Sequence, residues 1–143
     1  MSDKLEGHWV SGRVQFHETD AMGVVHHAAY IKYFENARVD WMISMNLLET
    51  HLPYADCALA VLQANCEYQK PLRFADEYQV CVQARREGLK IRFRYAIFST
   101  KSEDLVAKGD TLHVLVSGDL KPLRPVPKLR DQLESSVWTE TWP

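Results

Sequence analysis

Between the first apolar segment and the first long helical pattern the chain reads Phe16-His17-Glu18-Thr19-Asp20-Ala21-Met22-Gly23-Val24-Val25-His26-His27. Two carboxylates and three imidazoles crowd a stretch where ordinary turn residues would serve. Both group types move protons near neutral pH. Asp20 precedes the small, apolar run Ala21 to Val25, which would take its carboxylate partly out of water and raise its basicity. The stretch ends where a helix starts, and the first N–H groups of a helix have no intrahelical partner. They can donate to an oxygen that turns negative during a reaction, and the helix dipole adds to the effect. A carboxylate base or nucleophile on one side of a carbonyl and an oxyanion donor on the other is the equipment of acyl transfer to water. Two plainer readings use the same residues. Asp20 alone suits a helix cap or a turn. His17, Asp20, His26 and His27 are also zinc or iron ligand types, but neighbouring His26 and His27 would point apart as the helix begins, so no metal site is expected.

The elements that must hold this stretch follow from periodicity. Trp9 to Phe16 alternates as a short strand does, with Val10, Val14 and Phe16 in step apart from Gly12. From His27 the period becomes helical: Tyr30, Phe34, Ala37, Trp41, Met45 and Leu48 recur at three- and four-residue steps, while Lys32, Glu35, Asn36, Arg38 and Asp40 fill the solvated side. Glu35 and Arg38 stand at ion-pair spacing. Pro53 marks a break. Leu59 to Tyr68 predicts a strand, Glu77 to Ala84 and Lys90 to Phe98 flank a turn at Arg86-Glu87-Gly88, and Leu105 to Ser117 predicts a long strand in which Gly109 marks a bulge. A short helix is expected around Leu129 to Glu134. One long helix laid across one strongly curved antiparallel sheet of about five strands is an α+β architecture.

The chain has 143 residues, with 17 Lys and Arg against 19 Asp and Glu, and 46% are hydrophobic. That length suits one domain, residues 1–143, with its core over about 8–130 and a tail after it. No separate ligand domain fits, so a large ligand must lie in a groove or between subunits. A net charge of −2 argues against a basic face for nucleic acid. Cys57, Cys66 and Cys81 are odd in number and lack CxxC spacing, which suits buried thiols in a reducing compartment. Met1 to Gly7 has no apolar core of a leader peptide, and no run of 18 apolar residues occurs, so a cytoplasmic protein without membrane insertion is expected.

The run Val14-x-Phe16-x-x-Thr19-Asp20-x-Met22-Gly23-Val24-Val25-His26-His27-x-x-Tyr30-x-x-Tyr33-Phe34-Glu35-x-x-Arg38 resembles the signature of hotdog-fold acyl-CoA thioesterases of the 4-hydroxybenzoyl-CoA thioesterase-like group. It is especially similar to the Tol-Pal-associated branch. Tyr68-x-x-Pro71-Leu72-Arg73-Phe74-x-Asp76 is also similar to that family. The resemblance implies a hotdog fold, Asp20 as the catalytic carboxylate, and His27 at the helix start, its backbone N–H polarising the thioester carbonyl and its side chain assisting. Some members carry Tyr four residues before the Asp; Phe16 here has no phenolic hydroxyl to offer.

Several further expectations depend on the resemblance. Gly23, Val24, Val25 and His26 would border the substrate, His26 as a pocket wall. Among the basic residues of the hairpin, Arg85, Arg86, Lys90, Arg92 and Arg94, two readings stay open: a solvated edge face, or, for Arg86, Lys90 and Arg92, a grip on the phosphates of coenzyme A. No cofactor is needed, since coenzyme A is part of the substrate. A homodimer or homotetramer with active sites at the subunit interface is implied. A non-catalytic acyl-CoA sensor on the same fold is the leading alternative, and a hydratase or dehydratase is a third reading.

Overall fold

A computed structural model describes residues 4–47 and 57–143. Strand β1 (His8–Arg13) leads through a 3-10 turn (Phe16–Glu18) to helix α1 (Ala29–Ser44). Strands β2 (Cys57–Tyr68), β3 (Glu77–Glu87), β4 (Lys90–Ser99) and β5 (Leu105–Ser117) follow, then β6 (Pro122–Leu123) and helix α2 (Pro127–Ser135). The sheet is antiparallel in the order β1-β3-β4-β5-β2, with the two-residue β6 added beside β5. The architecture is the expected α+β hotdog, one long helix against a curved sheet.

Helix α1 is held by four residues of the expected stripe, Tyr30, Phe34, Ala37 and Trp41, joined by Tyr33 and Met42, while Met45 is half-buried just past the helix. Tyr30, Tyr33, Phe34, Ala37, Trp41 and Met42 are buried, each of the larger ones contributing about 1.5–3 kcal/mol by leaving water. The helix is shorter than its pattern. Asn46 takes φ +56°, Leu47 N–H donates to Met42 O at 2.8 Å and Asn46 N–H to Ile43 O at 3.0 Å. This is a Schellman ending, in which a left-handed residue turns the chain back over the last carbonyls. Leu48 and Pro53 lie outside the described residues.

Two expectations are corrected here. Arg38 is not on the solvated side: it is buried, and its Nη1 donates to the Tyr95 hydroxyl at 3.2 Å, while Nη2 stands 3.7 Å from exposed Glu35. Gly109 is not a bulge, since it pairs regularly with both Cys66 and Tyr95. The irregularities fall at Val61/Gln63 and at Ile97/Phe98. Gly109 is instead where α1 presses closest to the sheet. A Cβ there would lie 2.1 Å from Asn65 O and 2.6 Å from the Phe34 ring, which itself stacks on Tyr95 at 4.4 Å.

The segment after α2 is not a loose tail. Arg94 lies over the rings of Trp138 and Trp142, at 3.9 and 4.4 Å, and Arg85 over Trp138 at 4.1 Å. Buried Gln83 donates to Glu6 O and receives Thr139 N–H, so one side chain fastens both ends of the chain to β3.

Candidate active site

The stretch between the 3-10 turn and α1 folds into a tight, hydrogen-bonded loop. Thr19 and Val25 form an antiparallel bridge, Asp20 N–H donates to Val24 O at 2.8 Å, and Gly23 N–H donates to Asp20 O at 3.0 Å. Gly23 has φ +78° with open space around it, so the turn needs glycine for its backbone angle and not for room. The segment Pro71 to Asp76 backs this loop: Val25 N–H donates to Leu72 O at 2.8 Å, and Val24 bridges to Arg73. That contact joins the two stretches of the family-like motif.

Asp20 is both a turn residue and a group open to chemistry. Its Oδ1 accepts Met22 N–H at 2.8 Å and Val24 N–H at 3.4 Å. Its Oδ2 accepts no hydrogen bond among the described residues. The apolar run after it does not close over the carboxylate: Ala21, Met22 and Gly23 are exposed and Asp20 is half-buried. The expected desolvation by that run is therefore not what surrounds it.

At the far end of the loop His26 N–H donates to Glu18 O at 2.8 Å, Ala28 N–H to His26 Nδ1 at 3.1 Å, and Ala29 N–H to His26 O at 2.9 Å. These bonds leave the His27 N–H as a donor with no acceptor among the described residues. The Ala29 bond also polarises the His26–His27 peptide, which strengthens that N–H as a donor. Because Nδ1 of His26 accepts, its neutral ring carries the proton on Nε2. The His26 and His27 rings do not point apart. They stack at 4.2 Å and 29°, because His27 and Ala28 still form a turn and α1 starts only at Ala29.

Asp20 and His27 open on one cleft of about 370 Å³, with Val24 and Val25 from the loop, Tyr30 from α1, and Tyr68, Gln69, Lys70 and Pro71 from the end of β2 and beyond. The Tyr68 hydroxyl donates to His27 O at 2.9 Å, and its ring meets Tyr30 edge-on at 5.1 Å. Burial pushes the Tyr30 phenol upward, so it stays protonated at neutral pH. Tyr30, Tyr68 and Lys70 are wall residues that the sequence reading did not assign. Gly23 and His26 are exposed and do not line the cleft.

The hairpin residues lie elsewhere. Tyr68 pairs with Ala107, whereas Lys90 pairs with Val114, seven residues along β5 and about 23 Å away. Arg92 is ion-paired with Glu87 at 2.9 Å and with Asp110, and Arg86 bonds Gly88 O at 2.8 Å and stands 3.7 Å from Glu134. Lys90 has no charged partner among the described residues. Within one chain, Arg86, Lys90 and Arg92 are not brought to the Asp20 cleft.

An antiparallel hotdog sheet whose cleft is lined by Asp20 and by His27, its N–H without an acceptor among the described residues, carries the equipment for hydrolysis of an activated acyl group. The profile of the thioesterase-like superfamily matches residues 14–133, and the chain belongs to that family. It is an enzyme of the thioesterase class. The acyl-CoA thioester hydrolase YbgC of Escherichia coli O6:H1 is 31% identical over 119 residues, 81% of this chain and 87% of the relative. The 1,4-dihydroxy-2-naphthoyl-CoA hydrolase of Crocosphaera subtropica is 25% identical over 132 residues, 90% of each chain. The crystal structure of the PA5185 protein from Pseudomonas aeruginosa superposes with a TM-score of 0.81 at 22% identity, covering 90% of each chain, and shares the fold.

Proposed function

We propose that the protein hydrolyses an acyl-CoA thioester to the free acid and coenzyme A. The observation that carries this reading is that one cleft is lined by Asp20, whose Oδ2 accepts no hydrogen bond among the described residues, and by His27, whose N–H has no acceptor among them. With the thioester carbonyl oxygen on the His27 N–H, Asp20 has two routes. As a general base it takes a proton from water while the water oxygen attacks the carbonyl carbon, and the C–S bond of the tetrahedral intermediate then breaks. As a nucleophile it attacks the carbon itself and releases the thiolate, and water opens the mixed anhydride. Neither route draws on a metal or redox cofactor. Two similarities, to YbgC and to the Tol-Pal-associated loop motif, favour that branch for this chain, and the free thiols of Cys66 and Cys81 favour a reducing, cytoplasmic setting.

The free edge of β2 supports a homodimer. Antiparallel pairing of two such edges, centred on the strand, would set the Cys57 end of one chain beside the Tyr68 end of the other. The hairpin that carries Arg86, Lys90 and Arg92 lies at the Cys57 end, so a partner's hairpin would approach this chain's cleft and offer cations to the coenzyme A phosphates.

Thiol release from matched aliphatic and aromatic acyl-CoAs, measured on wild type and Asp20→Asn together, tests the reading. Asp20→Asn keeps the shape and the Oδ1 bonds but removes the base, so kcat falls by at least about a hundredfold. An undiminished rate overturns the role of Asp20. Acyl-CoA binding without thiol release by the wild type would make the protein a binding module instead.

A further inference from the structure

Two residues before Asp20, Glu18 is placed where three parts of the site meet. Its Oε1 accepts Gln15 N–H at 2.7 Å and the Tyr33 hydroxyl at 3.0 Å, and its backbone oxygen accepts His26 N–H at 2.8 Å. One residue thus ties the entry to the 3-10 turn, the first turns of α1 and the residue before His27. Tyr33 is a fixed anchor for this tie. It is 1% exposed, and its ring stacks on Tyr78 of β3 at 4.4 Å and 29°. Glu18 itself does not line the Asp20 cleft.

We infer that Glu18 and Tyr33 form a positioning pair that sets where the loop carrying Asp20 and the His27 N–H stands against helix α1 and the Tyr30 wall of the cleft. The inference rests on the roles proposed for Asp20 and the His27 N–H. Its physical basis is the shape of the frame. The rung from His26 N–H to Glu18 O and the Thr19–Val25 bridge close the loop at its base, but both are internal to it. The Tyr33–Glu18 bond is the side-chain link that fixes the loop against the helix. The loop's other outside ties, Val25 to Leu72, Val24 to Arg73 and Tyr68 to His27 O, do not hold the Glu18 end against α1, so without the Tyr33 bond the loop can tilt with its own hydrogen bonds intact and carry Asp20 from its place in the cleft. Burial and the adjacent Glu18 carboxylate push the Tyr33 phenol well above its ordinary range, so the donor keeps its proton throughout the working pH range.

Glu18 needs only an acceptor at Oε1, and a neutral amide oxygen supplies one. Glu18→Gln is therefore expected to hold kcat within about threefold of wild type. Tyr33→Phe and Glu18→Ala each break the tie and lower kcat by about ten- to a hundredfold, the scale of an ångström of misplacement, with KM within about threefold. The Glu18→Ala/Tyr33→Phe double variant is no slower than the slower single variant, because both remove one bond. Rates are taken far below each variant's melting temperature. A wild-type kcat in Tyr33→Phe overturns the inference, and so does a Glu18→Gln variant as slow as Glu18→Ala, which would give the carboxylate charge its own role. Asp20→Asn assayed alongside separates the two levels: if it retains full activity the underlying assignment fails, whereas an inactive Asp20→Asn beside an unaffected Tyr33→Phe removes only the positioning pair.

Discussion

The donor assigned to the oxyanion is a backbone group, and that separates its contribution from the His27 side chain. Replacing the imidazole by methyl leaves the N–H, the Ala29 bond that polarises its peptide, and the Tyr68 bond to His27 O. His27→Ala should therefore keep kcat within about tenfold, well short of the hundredfold or greater loss that follows removal of an oxyanion donor. Steady-state kinetics decide it: a thousandfold loss would move the role to the ring. The stretch from Asp20 to His27 could be singled out in the sequence because its residue types and the helix that starts just after it suggest that chemistry. The stacking of His26 on His27 was not legible, because the exact residue at which the helix begins decides where a side chain points, and periodicity fixes that only to within a residue or two. Tyr30 and Tyr68 were hidden for another reason. They are 38 positions apart and read locally as a core helix residue and a strand end, and only the fold brings their rings together.

At the scale of elements, helix α1 and strand β5 meet around a buried polar chain that no pattern announces. Arg38 donates to the Tyr95 hydroxyl, which shares a proton with Thr111 at 2.6 Å, and Thr111 meets His113 Nε2 at 2.8 Å. Alternation identified β5 as a strand, but His113 is fully buried, and its Nδ1 finds no partner among the described residues. Burial, aided by the nearby positive charge of Arg38, pushes its pKa down to about 3. Unfolded, the same ring protonates near 6.5. The unfolded chain thus binds a proton that the folded chain refuses between about pH 6.5 and 3. Stability from this group is complete above about pH 6.5 and is lost as pH falls through that window, by up to about 1.4 kcal/mol per unit. Wild type should accordingly lose more urea resistance between pH 7.5 and 4.5 than His113→Gln does. Parallel stability curves for the two proteins would show that His113 does not carry the effect.

On the scale of the whole molecule, the long edge of the sheet is the feature that one chain leaves unexplained. Exposed strand edges are usually guarded by charge, proline or brevity. β1, at one edge, is six residues long and carries His8 and Arg13. β2, at the other, is twelve residues long and has no charged residue from Cys57 to Cys66, while Val61 and Leu62 are 55% and 47% exposed. Such an edge is suited to a second copy of itself, and a twofold axis between antiparallel β2 strands makes one continuous sheet in which both β2 edges are satisfied and the short β1 strands stand at the two ends. The proposed partner contribution to the cleft depends on that arrangement, because within one chain the basic hairpin is too distant to reach the Asp20 cleft. A lysine at Val61 would place two like charges near the axis and guard the edge as natural monomers do. Val61→Lys should sediment at the mass of a single chain, keep its far-ultraviolet circular dichroism, and lose at least about tenfold in kcat/KM although Asp20, His27, Glu18 and Tyr33 are all retained. The KM component should rise as the partner's cations withdraw from the coenzyme A phosphates. A wild-type chain that sediments as a fully active monomer, or a Val61→Lys dimer with unchanged kinetics, would refute pairing through β2.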